Sequence, residues 1–422
     1  MGPLYFHYIS DKVRQLKTGG NNTMFTKTEL NKYADVLIWG LKTARKERFK
    51  KNDIILLQYD LPAIGLAEIL YEKLLRWGMN PVQRMIATYG MEYNFYALSN
   101  NRQLVFQAPG DKELMENLSG RIFLRAPESL THLKEIDPAK IGKFLVSRKP
   151  LREILEDREQ KGLHGWTLCT FPTHELASQA KTTIDEYKAQ IVKACYLDKD
   201  DPIKEWSAIL KNVTSIKKWL NGLKVKYFHM ESQNIDLKIT PGESRKWSGV
   251  SGHNIPSFEV FFSPDWRGTE GTYYANLPSF RSGNYVEEVR LTFLKGSVVK
   301  TEAKTGEEFT KKQISMDPGA SKVGEFSLTD KRFSRIDRFM ADTLFDENFG
   351  GEYGNSHVAL GASYVDTYAG DPADITKEFK KKMGFNDSAL HWDLVNTEDK
   401  TVTAHLTSGK KMVIYENGMF KY

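Results

Sequence analysis

The chain has 422 residues, 40% of them hydrophobic, 27% charged and 12% aromatic, with a formal net charge of +6. That length exceeds what one hydrophobic core usually serves, so two domains are expected, and the aromatic content excludes long disordered stretches. The small positive charge is dispersed as short lysine clusters, and no apolar run approaches the roughly 20 residues of a spanning helix, so neither nucleic acid nor membrane is an expected partner.

Residues 1–23 end in Gly19-Gly20-Asn21-Asn22 and are expected to form a flexible tail. Polar residues from Ser10 to Lys17 interrupt any signal-peptide pattern. Cys169 and Cys195 form no CxxC pair, which suits a reducing, cytoplasmic compartment. From Thr28 the spacing of Leu30, Tyr33, Ala34, Leu37, Ile38 and Leu41 predicts a helix. Residues 52–58 read as a buried strand, 63–77 as a helix and 82–89 as a second strand. Apolar runs at 121–124 and 166–169 alternate with helical spacing over 137–160 and 174–196. Strands alternating with helices predict a parallel sheet, so residues 24–222 are expected to be an α/β N-terminal domain. It closes on a helix whose Trp206, Ile209, Val213, Ile216 and Leu220 form a core stripe. Neither GxGxxG nor a P-loop is present, so nucleotide binding finds no support.

Beyond Leu223 the texture turns to β. Residues 223–227 and 236–240 alternate polar and apolar side chains, and Asn417-Gly418 between apolar arms marks a hairpin. Helices are expected over 335–344 and 376–383. Residues 223–422 are therefore expected to be an α+β C-terminal domain, and they contain every candidate for chemistry.

His391 and Asp393 stand two residues apart. On a strand they share a face about 6.6 Å from each other, so an imidazole and a carboxylate can converge on one metal ion or on two adjacent ones. Glu259, between Phe258 and Val260, and Glu325, between Gly324 and Phe326, are carboxylates in apolar runs, costly unless paired or metal-bound. The bland alternative is a strand whose glutamate faces water. His357 completes the set. These five residues offer more donor atoms than the roughly six that two ions sharing a water require. Carboxylates mixed with imidazoles suit Zn, Co, Mn or Mg rather than a thiolate site. Tyr364 follows His357 by seven residues, two turns on along the same face if the segment is helical, where its hydroxyl could meet the metals. Asp346, Glu347 and Asn348 read as a helix terminus or loop anchor, with a metal-ligand role the less favoured alternative, and Asp265 and Glu270 lie in a Gly-rich loop that could shape a pocket. His229, His253 and His405 read as structural. Neither a GxSxG elbow nor an HExxH helix competes.

The runs Asn254-Ile255-Pro256-x-x-Glu259-Val260-Phe261, Gly324-Glu325, Thr343-Leu344-Phe345-Asp346-Glu347-Asn348, His357-x-Ala359-Leu360-Gly361-x-x-Tyr364 and His391-x-Asp393 occur in this order. Together they resemble the aminopeptidase T family of metallopeptidases, over nearly the whole chain from about Met24. The resemblance implies an α/β N-terminal domain, a separate C-terminal catalytic domain and a homodimer. It also implies two divalent metal ions per subunit, held by Glu259, Glu325, His357, His391 and Asp393, with Tyr364 lining the reaction centre. The expected reaction is removal of N-terminal residues from peptides with a free N-terminus. A metal-activated water attacks the scissile carbonyl, Glu259 or Glu325 carries the proton, and Tyr364 steadies the oxyanion. Phe258 departs from the family, whose members often carry a small or acidic residue there, and is expected to alter the pocket wall more than the metals. Two alternatives stay open: a dimetal esterase, amidase or carboxypeptidase on the same ligands, and a non-catalytic binding protein. The residue that receives the substrate α-amine is not identified.

Overall fold

The computed structural model describes residues 24–371 and 375–422, and the expected tail over 1–23 lies outside the described residues. The first helix, Lys27–Ala44, opens on a capping box in which the Thr26 hydroxyl accepts from the Glu29 N–H and the Glu29 carboxylate accepts from the Thr26 N–H. Its stripe of Tyr33, Ala34, Val36, Leu37 and Leu41 is buried. Strands β1 (Ile54–Tyr59), β2 (Asn80–Met85), β3 (Gly120–Arg125) and β4 (Gly165–Thr170) pair in parallel in the order β2-β1-β3-β4. Helices make the crossovers that parallel pairing demands, so the expected α/β architecture is present.

Two local expectations fail there. The second strand ends at Met85, because Thr88 accepts from the Met91 N–H and caps a new helix, Tyr89–Leu98. The stretch 174–196 is two helices, His174–Gln179 and Ile184–Ala194. It breaks where Lys181 takes a φ of 55° and Thr183 starts another capping box.

Helix Pro202–Asn221 buries Trp206, Ile209, Val213, Ile216 and Leu220 and leads into the second half. In chain order its strands begin with β5 (Val225–Ser232), β6 (Asp236–Ile239), β7 (Asn254–Ile255), β8 (Glu259–Phe262) and β9 (Glu270–Ala275). Next come β10 (Ser279–Arg281), β11 (Asn284–Val286), β12 (Val289–Leu294), β13 (Ser297–Glu302) and β14 (Val323–Thr329). The last are β15 (Asn355–Gly361), β16 (His391–Asn396), β17 (Lys400–Leu406), β18 (Lys411–Glu416) and β19 (Met419–Phe420). An eight-stranded antiparallel sheet runs β13-β12-β9-β6-β5-β17-β18-β19, and a four-stranded one runs β16-β15-β14-β8. Strand β7 returns to the first sheet and pairs in parallel with β4, tying the halves together. Just beyond it Phe258 is wholly buried and stacks on Trp206, with ring centroids 5.3 Å apart. Phe258 therefore serves the packing between the halves rather than a pocket wall.

A helix forms over Lys377–Lys382, near the expected position, but not over 335–342. In that second region only Thr343–Asp346 is helical. The Asp346 carboxylate accepts from the Met340 and Asp342 N–H groups, and Asp342 accepts from the Leu344 N–H. These side-chain bonds hold a turn in which Ala341 has a φ of 51°, and they compete successfully with a continuous helix.

The four-stranded sheet packs one face on the eight-stranded sheet. There the Phe262 and Phe326 rings lie 5.5 and 6.5 Å from Phe228, and the Tyr273 hydroxyl donates to the Ser356 and Leu394 carbonyls. Its opposite face carries the polar candidates.

Candidate metal centre

Directly opposed residues of an antiparallel ladder share a face, as do residues two apart on one strand. The register sets Glu325 and Asp393 opposite Ala359, His357 opposite Ser327, Glu259 opposite Thr329 and His391 opposite Gly361. Glu259, Glu325, His357, His391 and Asp393 therefore project from one face of the four-stranded sheet. Ala359 stands between Glu325 and Asp393 in a single cross-strand row, and its methyl group reaches less far from the sheet than either donor. Every residue of β14 and β15 is buried, and Glu259 is 8% exposed. The water-facing alternative for the two glutamates is thereby removed.

His357 Nε2 lies 3.2 Å from Glu325 Oε1, 3.5 Å from Glu259 Oε2 and 3.8 Å from Asp393 Oδ1. His391 Nε2 lies 3.4 Å from Asp393 Oδ1 and 3.7 Å from Glu325 Oε2. Two triads result, Glu259/Glu325/His357 and Glu325/His391/Asp393, each with donor atoms within 4.8 Å of one another. Glu325 belongs to both. The Ala362 carbonyl lies 3.0 Å from His391 Nδ1, which favours the proton on Nδ1 in the neutral ring and leaves the Nε2 lone pair for the centre. Arg281 donates to the His391 carbonyl at 2.8 Å and steadies the same strand from behind.

Burial is the largest influence on each ionisable group. It raises Glu259 to about 8, with the Glu325 charge adding to it, and it raises Glu325 as well. Burial also opposes charge on the imidazoles, yet the surrounding carboxylates hold both His357 and His391 up at about 9. For Asp393 burial is outweighed by His391, His357 and Arg281, which hold it below the usual carboxylate range. Protein groups alone thus leave too many dehydrated carboxylates for the positive charge at hand. Divalent cations suit that imbalance and the mixed oxygen and nitrogen donors.

Glu347 joins from the loop that covers this face. It is buried, its Oε1 accepts from Asn254 Nδ2 at 3.4 Å, and burial, then Glu259, Asp393 and Glu325, push its carboxyl well above the ordinary value. The sequence groups it with Asp346 and Asn348 as an anchor first and a ligand second. Those two are anchors: Asn348 accepts from the Phe258 N–H and donates to the Leu344 carbonyl. The available hint for Glu347 was three adjacent polar residues following an apolar run.

Tyr364 arrives on a different backbone from the helix considered. Strand β15 ends at Gly361, where a Cβ would meet the Leu390 carbonyl oxygen at 2.1 Å, and the chain turns toward a short 3-10 segment, Val365–Thr367. The Tyr364 ring ends 4.7 Å from His391 and 5.9 Å from Phe261. It is 44% exposed, yet burial of its hydroxyl end, then the Glu325 and Asp393 charges, push the hydroxyl well above its ordinary value, so it remains a donor. Asp265 pairs with Arg267 at 2.6 Å and Glu270 is exposed, so neither joins the cluster. His229 bonds Asp236, His253 pairs with Glu159, and His405 stacks on Tyr227.

A family model described as thermophilic metalloprotease (M29) matches residues 26–420. The chain is 27% identical over 336 residues to aminopeptidase AmpS of Bacillus subtilis (strain 168), covering 75% of this chain and 80% of that protein. It is 28% identical over 266 residues to aminopeptidase T of Thermus aquaticus, covering 60% of this chain and 62% of that one. Its fold is similar to wild-type AmpT from Thermus thermophilus, with a TM-score of 0.78 at 22% identity over 94% of this chain and 100% of the other.

Proposed function

Because the chain belongs to the thermophilic metalloprotease (M29) family, it is a metal-dependent aminopeptidase, and we propose that Glu259, Glu325, His357, His391 and Asp393 hold two divalent ions at its reaction centre. Zn, Co, Mn and Mg all suit these donors. When bound, such ions polarise a scissile carbonyl and make water acidic enough to act as a nucleophile near neutral pH.

Glu325, shared by both triads, would contribute to holding both ions. Glu259 belongs to one triad only and is the better placed to take a proton from the attacking water and deliver it to the leaving amine. The Tyr364 hydroxyl, protonated at working pH, donates a hydrogen bond to the tetrahedral oxyanion. Glu347, which no ion pair engages among the described residues, is placed to receive the substrate α-ammonium, whose charge would favour the ionised carboxylate that burial and the neighbouring acids oppose. The two free, buried cysteines support a reducing, cytoplasmic setting. Exposed Leu98, Phe106 and Val146 offer apolar surface for a homodimer.

The observation that carries this reading is the pair of overlapping triads on one dehydrated sheet face. Metal-free protein prepared with a chelator should lose hydrolysis of leucinamide and regain it on adding Zn or Co. Undiminished turnover without metal defeats the reading. Acetylating the substrate α-amine should abolish cleavage; equal rates on blocked peptides would favour an endopeptidase or esterase instead.

A further inference from the structure

The residues assigned above hold metal, move a proton and receive the amine, and none of them reads the rest of the substrate. Beside Asp393 a small cavity of about 50 Å³ lies between the two halves of the chain. Leu277, Phe280 and the turn from Ala341 to Asp346 form one side, and Arg125 and Leu130 form the other. Arg125 is the last residue of β3. The order β2-β1-β3-β4 reverses direction between β1 and β3, so Arg125 stands at the carboxyl ends of the strands beside the switch point, where open α/β sheets take ligands.

The most exposed charge in this cavity is the Arg125 guanidinium, since the Asp393 side chain is 13% exposed and lies against His391 and His357. One Arg125 nitrogen, Nη1, lies 3.4 Å from Asp342 Oδ2, and no hydrogen bond engages the guanidinium among the described residues, although it carries five donors. Its side chain is 35% exposed, whereas that of Asp342 is 1% exposed. Asp342 is already occupied, accepting from the Thr170 hydroxyl at 3.2 Å and the Leu344 N–H at 3.1 Å. Asp346 is turned inward, both its carboxylate oxygens engaged by the Met340 and Asp342 N–H groups, and burial raises its carboxyl above the ordinary value. We propose that Arg125 makes a carboxylate-binding subsite of this cavity, taking either the terminal carboxylate of a short peptide or an acidic side chain next to the scissile bond. This rests on the aminopeptidase reading above.

The test compares wild type, Arg125→Gln and Arg125→Lys on leucyl-leucine, leucyl-leucinamide, leucyl-glutamic acid α-amide and glutamyl-leucinamide. Arg125→Gln should lose about tenfold or more in kcat/KM, through KM, on a carboxylate-bearing substrate, while staying within about twofold of wild type on leucyl-leucinamide. Arg125→Lys, which keeps the charge without the planar fork, should recover part of the loss, and it carries the comparison if the glutamine variant melts early. A loss confined to leucyl-leucine identifies the terminal carboxylate; a loss on either glutamate substrate identifies the side chain. Equal losses on all four substrates, or none on any, overturn the subsite alone. Wild-type protein that leaves leucyl-leucinamide intact overturns the aminopeptidase reading, and the subsite with it.

Discussion

The two antiparallel sheets of the second half carry the same chemical pattern in opposite settings. On the eight-stranded sheet His229 and Glu231 are two apart on β5, and His229 also lies 2.7 Å from Asp236. On the four-stranded sheet His391 and Asp393 have the same spacing on β16. The first group stands where β5 alternates buried and accessible positions, so water screens its charges and the pairing is an ordinary surface one. In the second group the imidazole is as exposed as His229, 22% against 18%, but its carboxylates are dry, with Asp393 at 13% and Glu325 at 4% against 56% for Glu231 and 79% for Asp236. The His-x-acid spacing is thus not what makes a metal centre. Removal of water around it, and three further donors on the same face, make the difference.

The contrast can be broken most severely at Glu325, the donor common to both triads. Glu325→Ala should lower leucinamide kcat/KM by more than about 10²-fold, beyond the loss expected from an outer-layer partner, with metal content by elemental analysis falling in parallel. Wild-type metal content in that variant would remove Glu325 from the centre. Next comes the row that Ala359 shares with two of the donors. Ala359→Val should cost about 1–3 kcal/mol of stability by overpacking, yet it should expel metal and activity from a protein that still unfolds cooperatively. Retained metal would show that the ions sit clear of Ala359. Tyr364→Phe should reduce kcat by about 10²-fold at unchanged metal content, as loss of one oxyanion donor does.

Smaller effects are expected on the eight-stranded sheet. Lys400 is buried there and burial pushes its ammonium down to about 7. Between that value and the ordinary lysine value the unfolded chain binds more protons than the folded one, so this group makes stability rise with pH and fall as pH drops toward 7. Lys400→Met should flatten that slope and stabilise the protein at pH 7 by about 1–3 kcal/mol, read from denaturant melts at pH 7 and 9. An unchanged slope would mean that Lys400 stays charged throughout. Least of all, His229→Ala should leave activity and metal content within about twofold and stability within about 0.5 kcal/mol, as surface changes do.

Much of the fold is legible in the sequence where local physics decides it. Helical spacing from Leu30 to Leu41 and from Trp206 to Leu220, and the apolar runs of β1, β3 and β4, mark elements that the structure contains. Boundaries fail where a polar side chain captures the backbone, as Thr88, Thr183 and Asp346 do. Donor types were equally visible, because a carboxylate amid Phe and Val is chemically conspicuous.

The residue chemistry of the centre, and the expectation that it binds metal, were determined by the sequence itself. Tertiary structure alone decided which acids are dry. Their burial comes from strands and loops remote in the chain, so no local pattern distinguishes His229-x-Glu231 from His391-x-Asp393, or Glu347 from its anchoring neighbours. Arg125 is the sharpest case: on β3 it reads as a polar strand end, and only docking of the two halves sets its guanidinium across a cavity from Asp393.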